Sequence, residues 1–210
     1  MSTLHSLVSR LMWGPMKFPT YSKSTARRVA ISTDRVRFAS LALALETIQR
    51  DQIPGGIAEL GVWRGVTSSF VHAHCPTRRL YLFDTFSGFP SDQGTDGRFQ
   101  NTSVELVKRR IGDCSNVCFR VGIFPGTSQG LEHESFAMVV LDADKYEPTI
   151  AGLEFFYPRV PRGGYIFLHD YNSPESQRGV SRAVTEFLTG RPEQLVEMPD
   201  VWGSAVFRKI

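Results

Sequence analysis

The sequence holds no apolar run of about 18 residues, so no membrane-spanning helix is expected. Its start lacks the charged, then apolar, then small-residue pattern of a secretory signal. Cysteine is scarce: Cys75, Cys114 and Cys118 form an odd set without CxxC spacing. That argues against a disulfide framework and a cysteine-built metal site, and for free thiols in a reducing compartment, the cytoplasm. No internal repeat and no low-complexity tract is present. Charge imbalance is also small, with 24 Lys and Arg against 21 Asp and Glu. No basic module with interleaved aromatics stands out, so neither nucleic acid nor membrane is an expected partner. The dinucleotide fingerprint GxGxxG is missing as well.

What is present suits one folded unit. A length of 210 residues and an apolar share of 41% support one sizeable core. Residues 1–30 carry breakers at Gly14, Pro15 and Pro19 and read as a short helix and an arm, with a single domain over 31–210. The first 50 residues hold eight basic side chains against Asp34 and Glu46, which leaves the rest slightly acidic. Such a run is usually a solvated face, and a basic rim over an acidic small molecule is the other reading.

A helix is expected over 34–50, with Asp34 as its N-cap and Pro54-Gly55-Gly56 as its stop. Beyond Gly56, short strands alternate with helices. Strands are expected at 57–60, 80–83, 117–121, 137–141 and 164–168, with helices at 66–73, 104–111, 149–157 and 177–188. The wholly apolar 137–141 suits a strand buried on both faces of a parallel sheet. Two last strands, near 195–198 and 204–208, suit an antiparallel hairpin at the edge. The alternation implies a doubly wound α/β sheet, whose ligands bind at the carboxyl ends of its strands.

Three clusters sit at those strand ends. Glu59-Leu-Gly-Val-Trp-Arg-Gly65 puts glycines at 61 and 65, where a chain turns tightly and approaches a ligand. Glu59 would repel a pyrophosphate but not a cationic ligand. The plainer reading is a glycine turn that serves strand–helix packing. Asp84 ends the second strand, where a carboxylate can accept ribose hydroxyls or simply cap a loop. Phe86, Phe89 and Phe99 either line a pocket or belong to the core. Residues 91–101 are polar and glycine-rich, and a lid is expected there. The third cluster, Asp142 with His169 and Asp170, converges from adjacent strand ends. It suits a divalent cation or general-base work, against a reading as loop caps. His72 and His74 face different sides of one helix and cannot chelate together, and His5 and His133 lack partners, so none is assigned a function.

Taken in order, five blocks resemble the macrocin O-methyltransferase (TylF-like) family. They are the Glu59 block, Asp84-Thr-Phe-Ser-Gly-Phe-Pro90, Leu141-Asp-Ala-Asp-Lys-Tyr-Glu-Pro-Thr149, Tyr157-Pro-Arg-Val-Pro-Arg-Gly-Gly-Tyr165 and His169-Asp-Tyr171. Ser32-Thr-Asp-Arg35 is similar to the family's upstream segment, and Gly179, Ala183, Val184 and Phe187 to its last helix.

The resemblance implies a Rossmann-like class I methyltransferase fold, with a seven-stranded, mostly parallel sheet and an antiparallel C-terminal hairpin. It implies methyl transfer from S-adenosyl-L-methionine to a hydroxyl of a small molecule, a sugar, polyol or phenolic natural product, assisted by a divalent metal. Carried over, Ser32, Glu59, Gly61, Asp84, Thr85, Phe86 and Gly88 hold the cofactor, with Gly122, Ile123 and Phe124 beside its adenine. Asp142 serves cofactor, metal and catalysis. Asp170 joins it as a metal ligand, and His169, set beside them by the converging strand ends rather than by the resemblance, is expected to be a third metal ligand or a general base.

At His169 the family generally carries an aspartate. An imidazole there shifts the preferred ion from Mg²⁺ toward a softer one. Two other readings stay open: a non-catalytic S-adenosylmethionine-binding protein and a nicotinamide-dependent oxidoreductase. The expected partners are a small-molecule hydroxyl acceptor and further copies of the chain, as a homodimer or higher homo-oligomer.

Overall fold

A computed structural model describes residues 22–89 and 98–210. The expected arm before residue 22, and most of the expected lid at 91–101, lie outside the described residues. Helix α1 (Lys23–Ile31) and helix α2 (Arg35–Arg50) come first. Then follow β1 (Gly56–Leu60), α3 (Val66–His74), β2 (Leu80–Asp84), α4 (Val104–Ile111) and β3 (Val117–Val121). The rest is β4 (Phe136–Leu141), α5 (Tyr146–Phe156), β5 (Tyr165–Leu168), α6 (Gly179–Leu188), β6 (Val196–Glu197) and β7 (Ala205–Arg208).

The strands form one seven-stranded sheet in the order β3-β2-β1-β4-β5-β7-β6. β3, β2, β1, β4 and β5 are parallel, and β7 runs antiparallel to both β5 and β6. This is the expected doubly wound sheet with its antiparallel hairpin. The strand order reverses between β1 and β4, so their carboxyl ends open a crevice there.

Period-two alternation divides the core between the two faces. Ile57, Leu80, Leu82, Met138 and Val140 pack with Leu41, Leu45 and Ile48 of α2 and with Val71 of α3. Ala58, Leu60, Phe83, Val139 and Leu141 pack with Leu153 and Phe156 of α5 and Val184 of α6. All six residues of β4 are buried, as a central strand covered on both faces requires. Each fully buried Leu, Ile or Phe contributes roughly 1.5–3 kcal/mol.

Two helix starts differ from the sequence expectation. Helix α5 begins at Tyr146 rather than 149, because Pro148 falls in the first turn, where backbone N–H groups have no helical partner to lose. Helix α6 begins at Gly179 rather than 177, because Gln177 and Arg178 adopt left-handed φ values of 49° and 62°. No helix among the described residues is long and apolar enough to cross a membrane.

Candidate active site

The crevice is a cleft of about 920 Å³ over the carboxyl ends of the parallel strands. Glu59, Gly61, Asp84, Thr85, Gly88, Gly122, Ile123, Phe124, Asp142, His169 and Asp170 all line it. The structure thus brings together most of the residues expected from sequence. Ser32 and Phe86 are not among the lining residues. The Ser32 hydroxyl donates to the Val29 carbonyl at 2.7 Å and caps α1. The Phe86 ring is buried beside Phe119, 5.9 Å between centroids, while the Phe86 backbone N–H serves the loop.

Gly61 makes the cleft floor. Its φ is +86°, and a Cβ there would lie 1.8 Å from the Asp142 carbonyl oxygen. Only glycine lets β1 and β4 stay joined, with Asp142 N donating to Leu60 O at 2.8 Å. Asp84 pins the glycine loop from the neighbouring strand. Its Oδ2 accepts from the N–H groups of Val62 (2.7 Å) and Trp63 (2.8 Å), and Oδ1 accepts from Phe86 N (2.7 Å). Both lone pairs of Oδ2 are therefore committed to the chain, and Oδ1 also lies 3.5 Å from the Thr85 hydroxyl.

Glu59 is buried and accepts a short hydrogen bond from the Ser68 hydroxyl. Burial, opposed by that bond and aided by the charges of Asp142 and Asp84, pushes its pKa up to about 8. The cleft floor thus holds a neutral carboxyl that a cation would ionise.

The third cluster is a charge-balanced knot. His169 Nδ1 lies 2.6 Å from Asp170 Oδ2 and 2.9 Å from Asp142 Oδ1. Arg37 Nη2 donates to Asp142 Oδ2 at 2.8 Å and to the Thr67 hydroxyl at 3.0 Å. Burial alone would lower the His169 pKa, but the Asp142 charge and bonds to both carboxylates raise it to about 10. Burial alone would raise Asp142, but His169 and Arg37 outweigh it and hold its carboxyl well below the usual range. Asp144, with φ of 59°, goes the other way. Burial and then the charges of Asp142 and Asp170 push it up to about 8.

Two carboxylates and an imidazole, with one ligand atom from each, come within 4.8 Å of one another, a donor set that suits a divalent ion. The proton that His169 shares with both carboxylates occupies the place between those ligand atoms. An ion held there would replace that proton, so the donor set fits a metal. His169 Nε2 is buried without a hydrogen-bond partner among the described residues.

Arg37, Thr67 and Asp144 were not assigned from sequence. Arg37 lay hidden in the basic run of the first 50 residues, and its partner is 105 positions away. The described end of the expected lid is anchored: Trp63 Nε1 donates to Asn101 Oδ1 at 2.8 Å, and Arg98 pairs with Glu175 at 3.3 Å.

Comparison with known proteins gives consistent relatives. A family model described as Macrocin-O-methyltransferase (TylF) matches residues 27–208. The 8-demethyl-8-(2,3-dimethoxy-alpha-L-rhamnosyl)-tetracenomycin-C 4'-O-methyltransferase of Streptomyces olivaceus is 32% identical over 64% of this chain and 60% of its own. The mycinamicin III 3''-O-methyltransferase of Micromonospora griseorubida is 28% identical over 69% of this chain and 66% of its own. The match thus spans less than two thirds of either relative. Among solved structures, the O-methyltransferase NovP superposes with a TM-score of 0.70 at 22% identity, covering 100% of this chain and 99% of that one. An O-methyltransferase from Bacillus cereus in complex with SAH gives 0.59 at 15% identity, covering 98% and 97%. At such identities the structural likeness concerns the fold.

Proposed function

The chain belongs to the macrocin-O-methyltransferase (TylF) family, and from that premise we propose that it transfers the methyl group of S-adenosyl-L-methionine to a hydroxyl of a sugar carried by a small natural product. The observation that carries this reading is one cleft holding both halves of the chemistry. Glu59, Gly61 and Asp84 line it with Gly122–Phe124, and Asp142, His169 and Asp170 line it too. The names of the two relatives, one a rhamnosyl compound's 4'-O-methyltransferase, support a sugar hydroxyl as acceptor. Three free cysteines support a reducing compartment, the cytoplasm.

The reaction is an in-line displacement. The acceptor oxygen attacks the methyl carbon, the C–O bond forms as the C–S bond breaks, and sulfur leaves as a neutral thioether. The hydroxyl proton passes to a base or to water. Asp142, kept ionised by Arg37 and His169, accepts the hydroxyl's hydrogen bond and aims its lone pair. Its lowered pKa suits it to orientation more than to proton removal. His169, charged in this arrangement, has no vacancy for a proton, which weakens the reading of His169 as general base. A divalent ion held by Asp142, His169 and Asp170 would lower the pKa of an acceptor hydroxyl. Alignment of the two reactants supplies several kcal/mol more.

Calorimetry tests the cofactor. S-adenosylmethionine and S-adenosylhomocysteine are expected to bind at micromolar or lower dissociation constants, on the order of −8 kcal/mol, and NAD not measurably. Because Glu59 is protonated up to about pH 8 and a cationic ligand favours its carboxylate, S-adenosylmethionine affinity should rise with pH toward 8 and level off above it, with proton release below. Tight NAD binding would refute the cofactor assignment.

Chelation tests the metal. Exhaustive chelation should abolish turnover, a softer divalent ion should restore it better than Mg²⁺, and His169→Asp should return the preference to Mg²⁺. Full activity after chelation would remove the metal from the proposal while leaving methyl transfer intact.

A further inference from the structure

Sheet order divides the cleft into two sides. Glu59 and Asp84 stand on β1 and β2, and Gly122–Phe124 follow β3. On the other side lie β4, β5 and β7, with Asp142 and His169 at the ends of β4 and β5. The turn from β6 to β7 closes this second side, because β7 runs antiparallel to β5 and so starts beside the end of β5, with Ala205 opposite Leu168.

That turn is held on several sides. Met198 N donates to Ser204 O at 2.8 Å, and Ser204 N to Asp200 Oδ1 at 2.6 Å. Asn172 N, two residues beyond Asp170, donates to Gly203 O at 2.8 Å. Val201 N donates to Asp34 Oδ2 at 3.0 Å, and Asp34 also caps α2. Gly203 has φ of +66°, and a Cβ there would meet the Cβ of Asn172 at 2.7 Å. Trp202 is therefore mounted on a turn fastened both to the segment after His169 and Asp170 and to the start of the helix that carries Arg37.

Trp202 nevertheless remains 43% exposed and lines the cleft. Burial does not account for a large aromatic in that position. A large ring carried on a fastened turn and left open is an apolar surface whose backbone is already in place, so binding to it orders little more of the chain. Trp63, the other exposed tryptophan lining the cleft, stands on the β1 side and is paired with Phe99 and Asn101.

We infer that Trp202 is the platform for the acceptor, stacking against the C–H face of a pyranose ring whose hydroxyls point toward Asp142, His169 and Asp170. A pyranose has an apolar C–H face and a polar rim, which matches an indole face within a cleft also lined by Glu147 and Glu175. The inference rests on the sugar-methyltransferase reading and adds the residue that selects the ring.

The test is saturation-transfer NMR on the protein with S-adenosylhomocysteine, using methyl α-L-rhamnopyranoside as one probe and catechol as the other. Native protein and Trp202→Phe should transfer saturation to the ring C–H protons of the pyranoside. In Trp202→Ala the transfer should fall roughly fivefold, the size of one aromatic contact. S-adenosylhomocysteine affinity, read by calorimetry, should stay the same in all three, which shows that the variants fold. Undiminished transfer in Trp202→Ala, no transfer in the native protein, or Trp202 dependence for catechol alone would each overturn the platform. Failure of the native protein to bind S-adenosylhomocysteine would defeat the methyltransferase reading itself, and the platform with it.

Discussion

Exchanging Asp142 for asparagine should abolish methyl transfer and lower stability by about 3 kcal/mol, the low end of the penalty for a buried charge that loses its partner. The low end applies because the Asp142 side chain is 21% exposed. Asparagine keeps the shape but removes the charge facing Arg37 at 2.8 Å and His169 at 2.9 Å. His169 retains Asp170 at 2.6 Å, whereas Arg37 retains only the Thr67 hydroxyl among the side-chain acceptors described for it. The guanidinium is the group left most exposed to the loss. Urea denaturation of the single and double variants separates the effects. Adding Arg37→Met to Asp142→Asn should restore part of the stability and none of the turnover. An asparagine variant as stable as the native protein would show that the knot is not held by charge.

The second large effect is at Gly61. Gly61→Ala should weaken S-adenosylmethionine binding more than 100-fold, roughly 3 kcal/mol, because two penalties combine. Left-handed φ at an alanine costs about 1–3 kcal/mol. A methyl 1.8 Å from the Asp142 carbonyl oxygen also cannot be accommodated while Leu60 O still accepts from Asp142 N. The strands must part at the point where the proposed cofactor site meets the Asp142 carboxylate. Gly112→Ala is the control: its φ of +89° also strains an alanine, but nothing lies within 4 Å of the added carbon. That variant should lose about 1–3 kcal/mol of stability and bind the cofactor normally. Equal loss of binding in both variants would assign the effect to general destabilisation rather than to the cleft floor.

The architecture was legible because its signals are local. The apolar stretch ending at Leu141 has the length and composition of a strand covered on both faces, and Asp34 announced the start of α2 by its side chain. Glu59, Asp84, Asp142 and His169 were legible for a related reason: strand ends can be located from the strands, and a parallel sheet gathers those ends on one edge. What escaped was direction and distance. The Phe86 side chain turns into the core although its neighbour Thr85 lines the cleft, a difference of one residue that composition does not encode. Arg37 sits in a helix whose basic side chains mostly suit solvent, and only packing of α2 against β4 selects it for Asp142. Trp202 lies in a turn with no pattern of its own, and its place in the cleft depends on hydrogen bonds to Asp34 and Asn172. Asp144 stood in full view beside Asp142. Its raised pKa arises from burial among two other carboxyl groups, which only the assembled fold provides.

The Asp34 carboxylate joins Arg37 N, three positions on, to Val201 N, 167 positions on. On a ribosome adding about 5–20 residues per second, those two partners appear on the order of ten seconds or more apart. The segments assigned to cofactor binding, up to Asp142, are made well before the turn that bears Trp202. During synthesis the helix start can be capped early, while the wall opposite waits for Val201. A nascent chain of this protein therefore passes through a stage in which the β1–β2 side of the cleft, the proposed cofactor side, has been synthesised and the side closed by the Trp202 turn is not yet made.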